Sequence, residues 1–547
     1  MLDEIDAFLA TRPKARIGLL GGSETAVLSS LIMKRFPSAT ITEVPTEADE
    51  SARHVRLAAA GPHHLILATG ERVSPAELLT NVLFHLRRGG LLAVSDLRLD
   101  QPSPDGLYPL LTRLRVMRSR RSVEDEGRGA DEKRSGADEK HSDADDKHSD
   151  ADEKRLARAV RRVVVGDDYV IIENRTACLA KMREAEMPQL LQESRRPLGE
   201  VLVQVAPEVF VPRSVIRDHG DLSVERAPAD LAVPALELRT YDNVICAPGQ
   251  LVTAHNVILA ETYRHHLRPR LRSRQVLEIA PRFGTLRLDV STPDHAPGAY
   301  FHWDSEFPGH YGHALSEQVS RLWGLQRARE RYPELKILAG RRSDEQQVMP
   351  FEKSILTAIG VRDEDIFVCD RPVRVDHLLA ATPMLSMPEY VSPGIAAIWD
   401  TVGDAIVNGA GGREHPRRFF CSRRTPKRAC RNSSEVEELF RTAGFEIVFP
   451  EELPLADQIA MFRGADIVAG YAGSALFTLM FCSSPKQVII VAPESYTATN
   501  EYLIGAVRGH TFDVFWSRPD SGAFRSSFYF DLQREGRMLA NHLRATG

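Results

Sequence analysis

Short apolar runs alternate with amphipathic stretches along most of the chain. In the N-terminal part, apolar runs of strand length lie at 16–20, 39–44, 64–68 and 91–94. The segments Glu24–Phe36 and Pro75–Arg88 have apolar residues at helical spacing and predict helices between these strands. Strands that alternate with helices are typical of a parallel sheet covered by helices. We therefore predict a Rossmann-like N-terminal domain.

The same pattern resumes after a charged interruption. Runs at 159–165 and 169–173 predict the last strands of the N-terminal sheet, and Ala177–Glu193 predicts a helix rich in charge. The sequence Arg195-Arg196-Pro197 follows and indicates a domain boundary. We place the N-terminal domain at residues 1–194.

Two further α/β regions follow this boundary. The first, 195–332, has predicted strands at 201–205, 237–238, 243–246, 276–279 and 285–289. It ends in a predicted helix that begins near His310 and reaches about Arg329. The second, 333–547, has predicted strands at 335–338, 366–369, 418–421, 445–449, 466–470 and 487–491, with helices at 392–408 and 434–443.

Four copies of a seven-residue charged unit interrupt the N-terminal domain: GADEKRS, GADEKHS, DADDKHS and DADEKRL. Each copy has one alanine and, apart from Leu156, no larger apolar residue. A heptad coiled coil needs two large apolar positions in each repeat. We predict a solvated, disordered or loosely helical insert at about 118–158, without a ligand.

Composition narrows the class of protein. Of 547 residues, 43% are hydrophobic, and the formal net charge is −5, so the chain can build large cores but has no overall basic field for nucleic acid. The six cysteines show no C-x-x-C spacing. The first ten residues carry acids within an apolar run, and no uncharged stretch reaches the length of about 18 residues that spans a bilayer. We expect a cytoplasmic protein that binds no nucleic acid, and its oligomeric state stays open.

The stretch Ala465–Phe481 is the most informative part of the sequence. A predicted strand leads through the turn Ala472-Gly473-Ser474-Ala475 into an apolar run of about two helical turns. Backbone N–H groups at the start of a helix after a glycine turn bind anions, and phosphate is the usual one. A tight turn in any doubly wound sheet has the same pattern. The stretch therefore indicates either a phosphate site or only a turn.

Four motifs occur in a fixed order between about Pro197 and the C-terminus. They are His310-Tyr311-Gly312-His313 with Glu317 one turn later, Ser422-Arg423 followed by Arg428 and Asn432, Asp457-Gln458, and the turn and apolar run Gly470–Phe481. In this order they resemble glycosyltransferase family 61 and its bacterial relatives of capsular-polysaccharide type. The chain departs from the family pattern at Ala472, where many members have histidine, and at Thr478, where they have asparagine.

This resemblance implies a GT-B architecture, in which two Rossmann-like halves face each other across a cleft and follow the separate N-terminal domain. It implies an inverting glycosyltransferase that moves a sugar from a nucleotide diphosphate sugar, with uridine diphosphate expected, to a glycan acceptor. The expected process is surface or capsular polysaccharide synthesis. An alternative is a catalytically inactive relative that acts as a scaffold or binds polysaccharide.

Inverting transfer needs positive charge for the departing diphosphate. The cations Arg423, Arg424, Lys427 and Arg428 follow one predicted strand at its carboxyl end, where open α/β sheets bind ligands. We assign Arg423 and Arg428 to the diphosphate and the other two to solvent. Further predicted substrate-binding residues are His310, Asn432, Gly473, Ser474, Ala475 and Glu494. Asn432 could equally be a helix N-cap, and Glu494 a plain loop acid.

The transfer also needs a base for the acceptor hydroxyl. The candidates are Asp304, Glu306, His313 and Glu317, and we prefer His313, followed by Asp304, because histidine needs little adjustment to act near neutral pH. We expect no metal, since the Asp-x-Asp patterns lie in the charged repeat and at Asp363-Glu364-Asp365, ahead of a strand. No other cofactor is expected besides the nucleotide-sugar donor.

The N-terminal part resembles a degenerate class I methyltransferase-like Rossmann domain, on its strand order and the segment His85-Leu86-Arg87-Arg88-Gly89-Gly90. The acidic residue expected before the glycine turn is absent, and Gly18-Leu19-Leu20-Gly21-Gly22 breaks the G-x-G-x-G spacing. We therefore expect a docking or scaffold role, with peripheral membrane or polysaccharide-assembly proteins as partners, rather than S-adenosylmethionine binding. A domain that does bind S-adenosylmethionine would make the protein a bifunctional enzyme.

Overall fold

The computed structural model describes residues 1–21, 24–45, 48–69, 75–95, 155–219, 228–408, 414–424, 428–498 and 500–546. The described strands form three large sheets, which we call the N-terminal, middle and C-terminal sheets. Two short pairs accompany them, Glu208–Phe210 with Leu231–Val233 and Leu385–Ser386 with Tyr390–Val391. The predicted mixed α/β class is confirmed.

The N-terminal sheet has six strands, in the spatial order Thr40–Val44, Arg16–Leu20, His63–Thr69, Leu86–Ser95, Val170–Asn174 and Val160–Val165. The first four strands are parallel to one another. Val170–Asn174 runs antiparallel to Leu86–Ser95, and Val160–Val165 runs antiparallel to Val170–Asn174, so the strands after the charged insert complete this sheet as predicted. Its helices are Leu2–Ala10, Glu24–Arg35, Glu50–Ala60 and Pro75–Thr80. The last of these is shorter than predicted, because Leu86 already pairs with His63 in the sheet.

The segment 177–193 differs from its predicted helix. Leu179–Lys181 is a strand of the middle sheet, and only Met187–Glu193 is α-helical. Lys181 explains the difference, because it is buried and its ammonium group donates to Leu271 O and to Glu278, both at 3.0 Å. These long-range partners outweigh the helical preference of a charge-rich segment.

The middle sheet has eleven strands and is mixed rather than parallel. Ten lie in the order Val276–Ala280, Phe283–Leu286, Leu179–Lys181, Val257–Ile258, Leu251–Ala254, Leu236–Ala247, Val373–Ala381, Asp294–His302, Lys336–Ala339 and Ile366–Val368, and Gly199–Val205 pairs with Leu236–Ala247. The strands predicted at 237–238 and 243–246 form one strand, in which Asn243 takes a φ of +54°. The strand at 373–381 was not predicted.

The C-terminal sheet has six parallel strands, in the order Val215–His219, Thr511–Ser517, Gln487–Pro493, Ile467–Tyr471, Arg418–Cys421 and Glu446–Val448. Its α-helices include Ile395–Asn408, Ser433–Thr442, Leu455–Gly464, Asn500–Arg508 and Glu535–Ala545. A strand from the region 195–332 thus joins this sheet, while three strands after residue 333 join the middle sheet. The domain boundaries predicted after residues 194 and 332 stay predictions. The strands of the three sheets do not separate at these two positions in the chain.

Two apolar cores connect the sheets. The larger one lies between the middle and C-terminal sheets and includes Trp303, Trp399 and Phe481. The second joins the N-terminal sheet to the middle sheet and includes Phe84 and Phe283. The first core fixes the helix after strand Asp294–His302 against the C-terminal sheet, which positions the candidate site.

Most of the charged insert lies outside the described residues. Its last residues, 155–158, are described, and Leu156 and Ala157 are buried in the core shared by the N-terminal and middle sheets. The insert predicted at about 118–158 therefore ends earlier, because these apolar side chains belong to the fold. No described helix has the length and apolar character that a membrane crossing requires.

Candidate functional site

A helix at 311–331, which we call the motif helix, carries the first sequence motif. It starts as α-helix at Tyr311–His313, continues through a π-helical segment, Ala314–Gln318, and a 3₁₀ segment, Val319–Gly324, and ends as α-helix at Leu325–Arg331. π-Helical segments within helices are often found at functional sites.

The motif helix touches the glycine turn, which we define as Gly470–Ser474. A Cβ atom on Gly312 would lie 2.8 Å from Ser474 Cβ, so only glycine allows this approach. The Tyr311 hydroxyl donates to Gln458 Oε1 at 3.0 Å and lies 2.8 Å from Thr478 Oγ1. Three of the four motifs therefore meet in space, and Thr478, a departure from the family pattern, forms one of the bonds that join them.

His313 forms a dyad with Glu317. Its Nδ1 lies 2.9 Å from Glu317 Oε1, and Arg264 Nε donates to the same oxygen at 2.5 Å. Burial opposes ionisation of Glu317, but His313 and Arg264 outweigh burial and hold the pKa of this carboxyl far below its usual value. The ionised Glu317 accepts a hydrogen bond from Nδ1–H of His313, and this tautomer leaves Nε2 as the acceptor in the neutral imidazole. Phe307 stacks on the imidazole at 4.7 Å.

The other base candidates have different surroundings. Asp304 is fully buried, and its two oxygens accept the backbone N–H groups of Ser305 at 2.7 Å and Gln250 at 2.8 Å. Burial raises the pKa of Asp304 to about 7. Glu306 accepts the Arg274 backbone N–H at 2.6 Å, and burial raises its pKa. These contacts hold loops in place, and only His313 and Glu317 of the four candidates lie on the motif helix.

Arg423 and Arg428 come together at the glycine turn. Arg423 Nη2 donates to Ala472 O at 2.9 Å, and the Arg428 guanidinium lies 4.8 Å from the centre of the Tyr496 ring. A Cβ atom on Gly473 would lie 3.1 Å from Arg428 Nη2 and 3.9 Å from Arg423 Nη1. Both guanidinium groups therefore face Gly473, as the sequence predicts for a diphosphate site.

The two guanidinium groups lie beside each other, with Arg428 buried and Arg423 half-buried. Arg428 is 8% exposed, and its buried Nε has no hydrogen-bond partner among the described residues. Burial, followed by repulsion from Arg428, lowers the pKa of Arg423 to about 10. Within the described part of the chain neither arginine forms an ion pair with a carboxylate. A buried and a half-buried cation that pair with no carboxylate favour an anion beside them.

The glycine turn itself differs from the predicted bare backbone. The N–H of Gly473 donates to Glu501 Oε1 at 2.7 Å, so it is already bound. Glu501 is buried at the start of helix Asn500–Arg508, accepts the Tyr496 hydroxyl, and has its pKa raised to about 7 by burial. The sequence gives no signal for this residue, because acids in the first turn of a helix are common. An anion at the turn would therefore be held mainly by the arginines.

Glu501 should make stability depend on pH. Its pKa of about 7 lies above the value of 4.5 for a free glutamate, so the folded state holds the proton more tightly and loses stability as pH rises from about 4.5 through 7. In Glu501→Gln this loss disappears, and we expect a difference on the order of 3 kcal/mol between pH 5 and pH 8. Urea unfolding at both pH values measures it, with exposed Glu438→Gln as control. Parallel pH curves for wild type and Glu501→Gln would contradict the assignment.

Other predicted site residues have structural partners. The Asn432 side chain bonds both the N–H and the C=O of Phe530, at 3.0 and 2.9 Å, which ties the C-terminal segment to the sheet. Arg424 pairs with Glu452 at 2.7 Å on the surface, in agreement with its assignment to solvent. Lys427 lies outside the described residues. Glu494 is half-buried and its backbone N–H bonds Ser517 O.

His310 lies beside His313, and the first helical residues after the glycine turn are Ser474 and Ala475. His310 is exposed, and its ring centre lies 4.6 Å from that of His313. Ser474 and Ala475 begin the 3₁₀ helix Ser474–Phe481 and are half-buried. Gly312 contacts Ser474. The dyad of His313 and Glu317 therefore lies on the motif-helix side of this contact, and the arginine pair lies on the glycine-turn side.

One group among the described residues has metal-ligand geometry. His219, Asp513 and His542 have ligand atoms that all lie within 4.8 Å of one another. They lie on the C-terminal sheet and its last helix, and Arg217 Nη1, 3.6 Å from Asp513 Oδ2, adds positive charge there. Asp363 and Asp365, the Asp-x-Asp pattern at which no metal is expected, are paired with Lys353 and Arg362.

Comparison with known families agrees with this geometry. Residues 311–489 match the model of the family described as Glycosyltransferase 61. The match contains the motif helix, Arg423, Arg428 and the glycine turn, so the predicted resemblance is confirmed for this part of the chain, and it supports a glycosyltransferase as the class of protein. No curated protein matches the chain.

Comparison with solved structures gives weaker similarities. Two of them are the MycE methyltransferase from the mycinamycin biosynthetic pathway, in complex with Mg, SAH and mycinamycin VI, and with Mg and SAH. Identity is 12% and 13%, the TM-scores are 0.24 and 0.23, and each match covers 32% of this chain. The chain spans about half the length of these proteins, 48% and 49%. Similarity at this level supports no conclusion about function.

Proposed function

We propose that this protein is an inverting glycosyltransferase that moves a sugar from a nucleotide diphosphate sugar, with uridine diphosphate as the nucleotide, to a glycan acceptor. The observation that carries the proposal is the pair Arg423 and Arg428, whose guanidinium groups face Gly473 within the segment that matches the family. We assign the enzyme to surface or capsular polysaccharide synthesis, on the type of family member that the sequence resembles.

On the donor side, the diphosphate would lie between the two guanidinium groups and the start of the helix at Ser474 and Ala475. Arginine suits this role because its planar fork binds two phosphate oxygens at once. The raised pKa of Glu501 supports the assignment. The fraction of Glu501 that is protonated competes less with phosphate for Arg428 than an ionised carboxylate would. His310 and Glu494 stay proposed contacts to the sugar part of the donor.

On the acceptor side, His313 is the proposed base. Its Nε2 would take the proton of the acceptor hydroxyl while the hydroxyl oxygen attacks the anomeric carbon and the bond from that carbon to the diphosphate breaks. A single displacement of this kind inverts the configuration. Glu317 positions the imidazole and stabilises the imidazolium that forms. Asp304 is less suited, because its carboxyl is fully buried and occupied by backbone N–H groups.

The proposal includes no divalent metal and no S-adenosylmethionine. Asp363 and Glu364 are exposed and Asp365 is half-buried; the three acids are engaged with Lys353 and Arg362 and precede strand Ile366–Val368. Two GT-B halves, at about 195–332 and 333–547, would face each other at the contact between Gly312 and Ser474. We further propose a cytoplasmic location with peripheral membrane or polysaccharide-assembly proteins as partners.

Thermal-shift measurements on the full chain test the proposal directly. A panel of nucleotide diphosphate sugars should contain one that raises the melting temperature, because a ligand of the folded state stabilises by mass action. S-adenosylmethionine belongs in the same panel and is expected to have no effect. A shift with glycan fragments alone would favour the inactive, polysaccharide-binding alternative.

Replacement of Gly473 by valine should abolish binding of the nucleotide sugar identified in this way. Gly473 has a φ of +145°, and its added side chain would push into Arg428 Nη2. The matched control is Gly298→Ala, which places a side chain at a φ of +102° with no atom within 4 Å. Calorimetry should give no measurable affinity for Gly473→Val and unchanged affinity for the control. Wild-type affinity in a folded Gly473→Val protein would rule out the donor site.

A further inference from the structure

A large cavity of about 950 Å³ lies between the N-terminal sheet and the middle sheet. Six arginines line it: Arg12, Arg16, Arg87, Arg88, Arg195 and Arg196. His64 and His255 also line it, and the described lining residues include no aspartate or glutamate. Apolar side chains such as Leu86, Leu190 and Val257 complete the wall. The cavity is therefore strongly cationic in a chain whose net charge is negative.

The position of the cavity separates it from the sites considered above. Arg16 starts the first strand of the N-terminal sheet, His64 lies at the start of strand His63–Thr69, and Arg87 near the start of strand Leu86–Ser95. These are the amino ends of parallel strands. A nucleotide in a Rossmann-like sheet lies at the carboxyl ends instead. The cavity is thus neither a methyltransferase-type cofactor site nor part of the donor site at Gly473.

Four of the six arginines are exposed, and the guanidinium groups of Arg16 and Arg195 are held by backbone carbonyl groups. Arg16 Nη1 donates to Gly61 O at 2.7 Å, and Arg195 Nη2 donates to Ile41 O at 3.2 Å. These acceptors are neutral carbonyl groups. In the described ranges, none of the six arginines pairs with a carboxylate. The arginines also affect His64. Burial, followed by the charges of Arg87, Arg12 and Arg16, lowers the pKa of its imidazole to about 4.

His64 adds a further donor to the cavity wall. Its Nδ1 accepts the backbone N–H of Arg16 at 2.9 Å, and a backbone N–H can only donate. The proton of the neutral imidazole is therefore on Nε2. That nitrogen lies beside Nη1 of Arg87, which is also a donor. An anionic oxygen in the cavity could accept from both groups.

We propose that this cavity binds a small molecule that carries a diphosphate or several phosphate groups. Several guanidinium groups around one space require several negative charges, and phosphate oxygens match the arginine fork. The apolar wall would contact the organic part of such a ligand. The chemistry is shared by inorganic pyrophosphate and by a nucleoside diphosphate, and binding measurements distinguish these two sources.

Calorimetry with pyrophosphate and with uridine diphosphate, on the full chain carrying Arg423→Ala and Arg428→Ala, tests this second site. The two substitutions remove the proposed donor site, so remaining binding reports on the cavity. Adding Arg87→Glu and Arg196→Glu should weaken this binding at least tenfold. The matched control is Arg327→Glu, a surface arginine paired with Glu330, which should leave the affinity unchanged. Circular dichroism and melting temperature verify the fold of each variant.

The outcomes separate clearly. Tighter binding of uridine diphosphate than of pyrophosphate would identify a nucleotide ligand, and equal or weaker binding would identify the diphosphate alone as the recognised group. Absence of binding of either compound at 150 mM salt would overturn the proposal. Equal affinity in the folded Arg87→Glu/Arg196→Glu protein would also overturn it. Because the donor site is absent in every variant, failure here leaves the proposed transferase function unaffected.

Discussion

Arg428→Ala is expected to lower the turnover number for release of the nucleoside diphosphate about 10²–10³-fold, and Arg423→Ala to have a similar effect. The reason is that the leaving diphosphate gains negative charge in the transition state. In the proposed site, the guanidinium groups of Arg423 and Arg428 beside Gly473 would stabilise that charge, and burial of Arg428 limits solvent screening. The loss corresponds to about 2–4 kcal/mol of transition-state stabilisation for each arginine.

The neighbouring Arg424 provides the matched control. It follows Arg423 directly but is exposed and paired with Glu452, so Arg424→Ala should keep the wild-type turnover number. Arg428→Lys should recover only part of the activity, because an ammonium group cannot bind two phosphate oxygens as a fork does. Steady-state kinetics with the donor found by thermal shift measures all three variants. EDTA should leave the wild-type rate unchanged. Inhibition by EDTA that manganese reverses, together with active arginine variants, would show a metal-dependent site instead.

The assignment of Arg423 and Arg428 over Arg424 illustrates what the sequence can predict. All three follow strand Arg418–Cys421, and the carboxyl end of that strand is where a ligand is expected. The motif order in the sequence selects two of them, and the structure places those two at Gly473 and the third on the surface. Local pattern and motif spacing were sufficient to separate these arginines, because all three lie close in sequence to strand Arg418–Cys421.

Contacts between distant residues could not be predicted in this way. Glu501 occupies the N–H of Gly473, although nothing in the helix Asn500–Arg508 distinguishes it from an ordinary first-turn acid. Val215–His219, where the apolar pattern predicted no strand, pairs with Thr511–Ser517 across almost three hundred residues. Both the existence of this strand and its place in the C-terminal sheet depend on tertiary packing rather than on local periodicity.

His313→Ala is the variant with the second large expected effect, a decrease of about 10²–10⁴ in the turnover number. The Nε2 atom of His313 is the proposed proton acceptor, and its orientation follows from the 2.9 Å contact between Nδ1 and Glu317. Added imidazole should restore part of the activity, because the small ring can occupy the space beside Phe307 that the substitution leaves. Rescue of this kind distinguishes a missing base from a damaged fold.

Glu317→Gln should have a smaller effect on the turnover number, about 10–10²-fold, because it keeps a hydrogen-bond acceptor for His313 but removes the charge. Loss of the carboxylate destabilises the imidazolium, so the acid limb of the pH–rate profile should move to lower pH. The surface pair of His295 and Asp376, joined at 2.8 Å, offers a matched control, and His295→Ala should leave rate and profile unchanged. If His313→Ala retains wild-type turnover, or if its activity is lost without any response to imidazole, the base is another group. Asp304 could replace it only if the segment around Ser305 moved, because both of its oxygens are bound by backbone N–H groups.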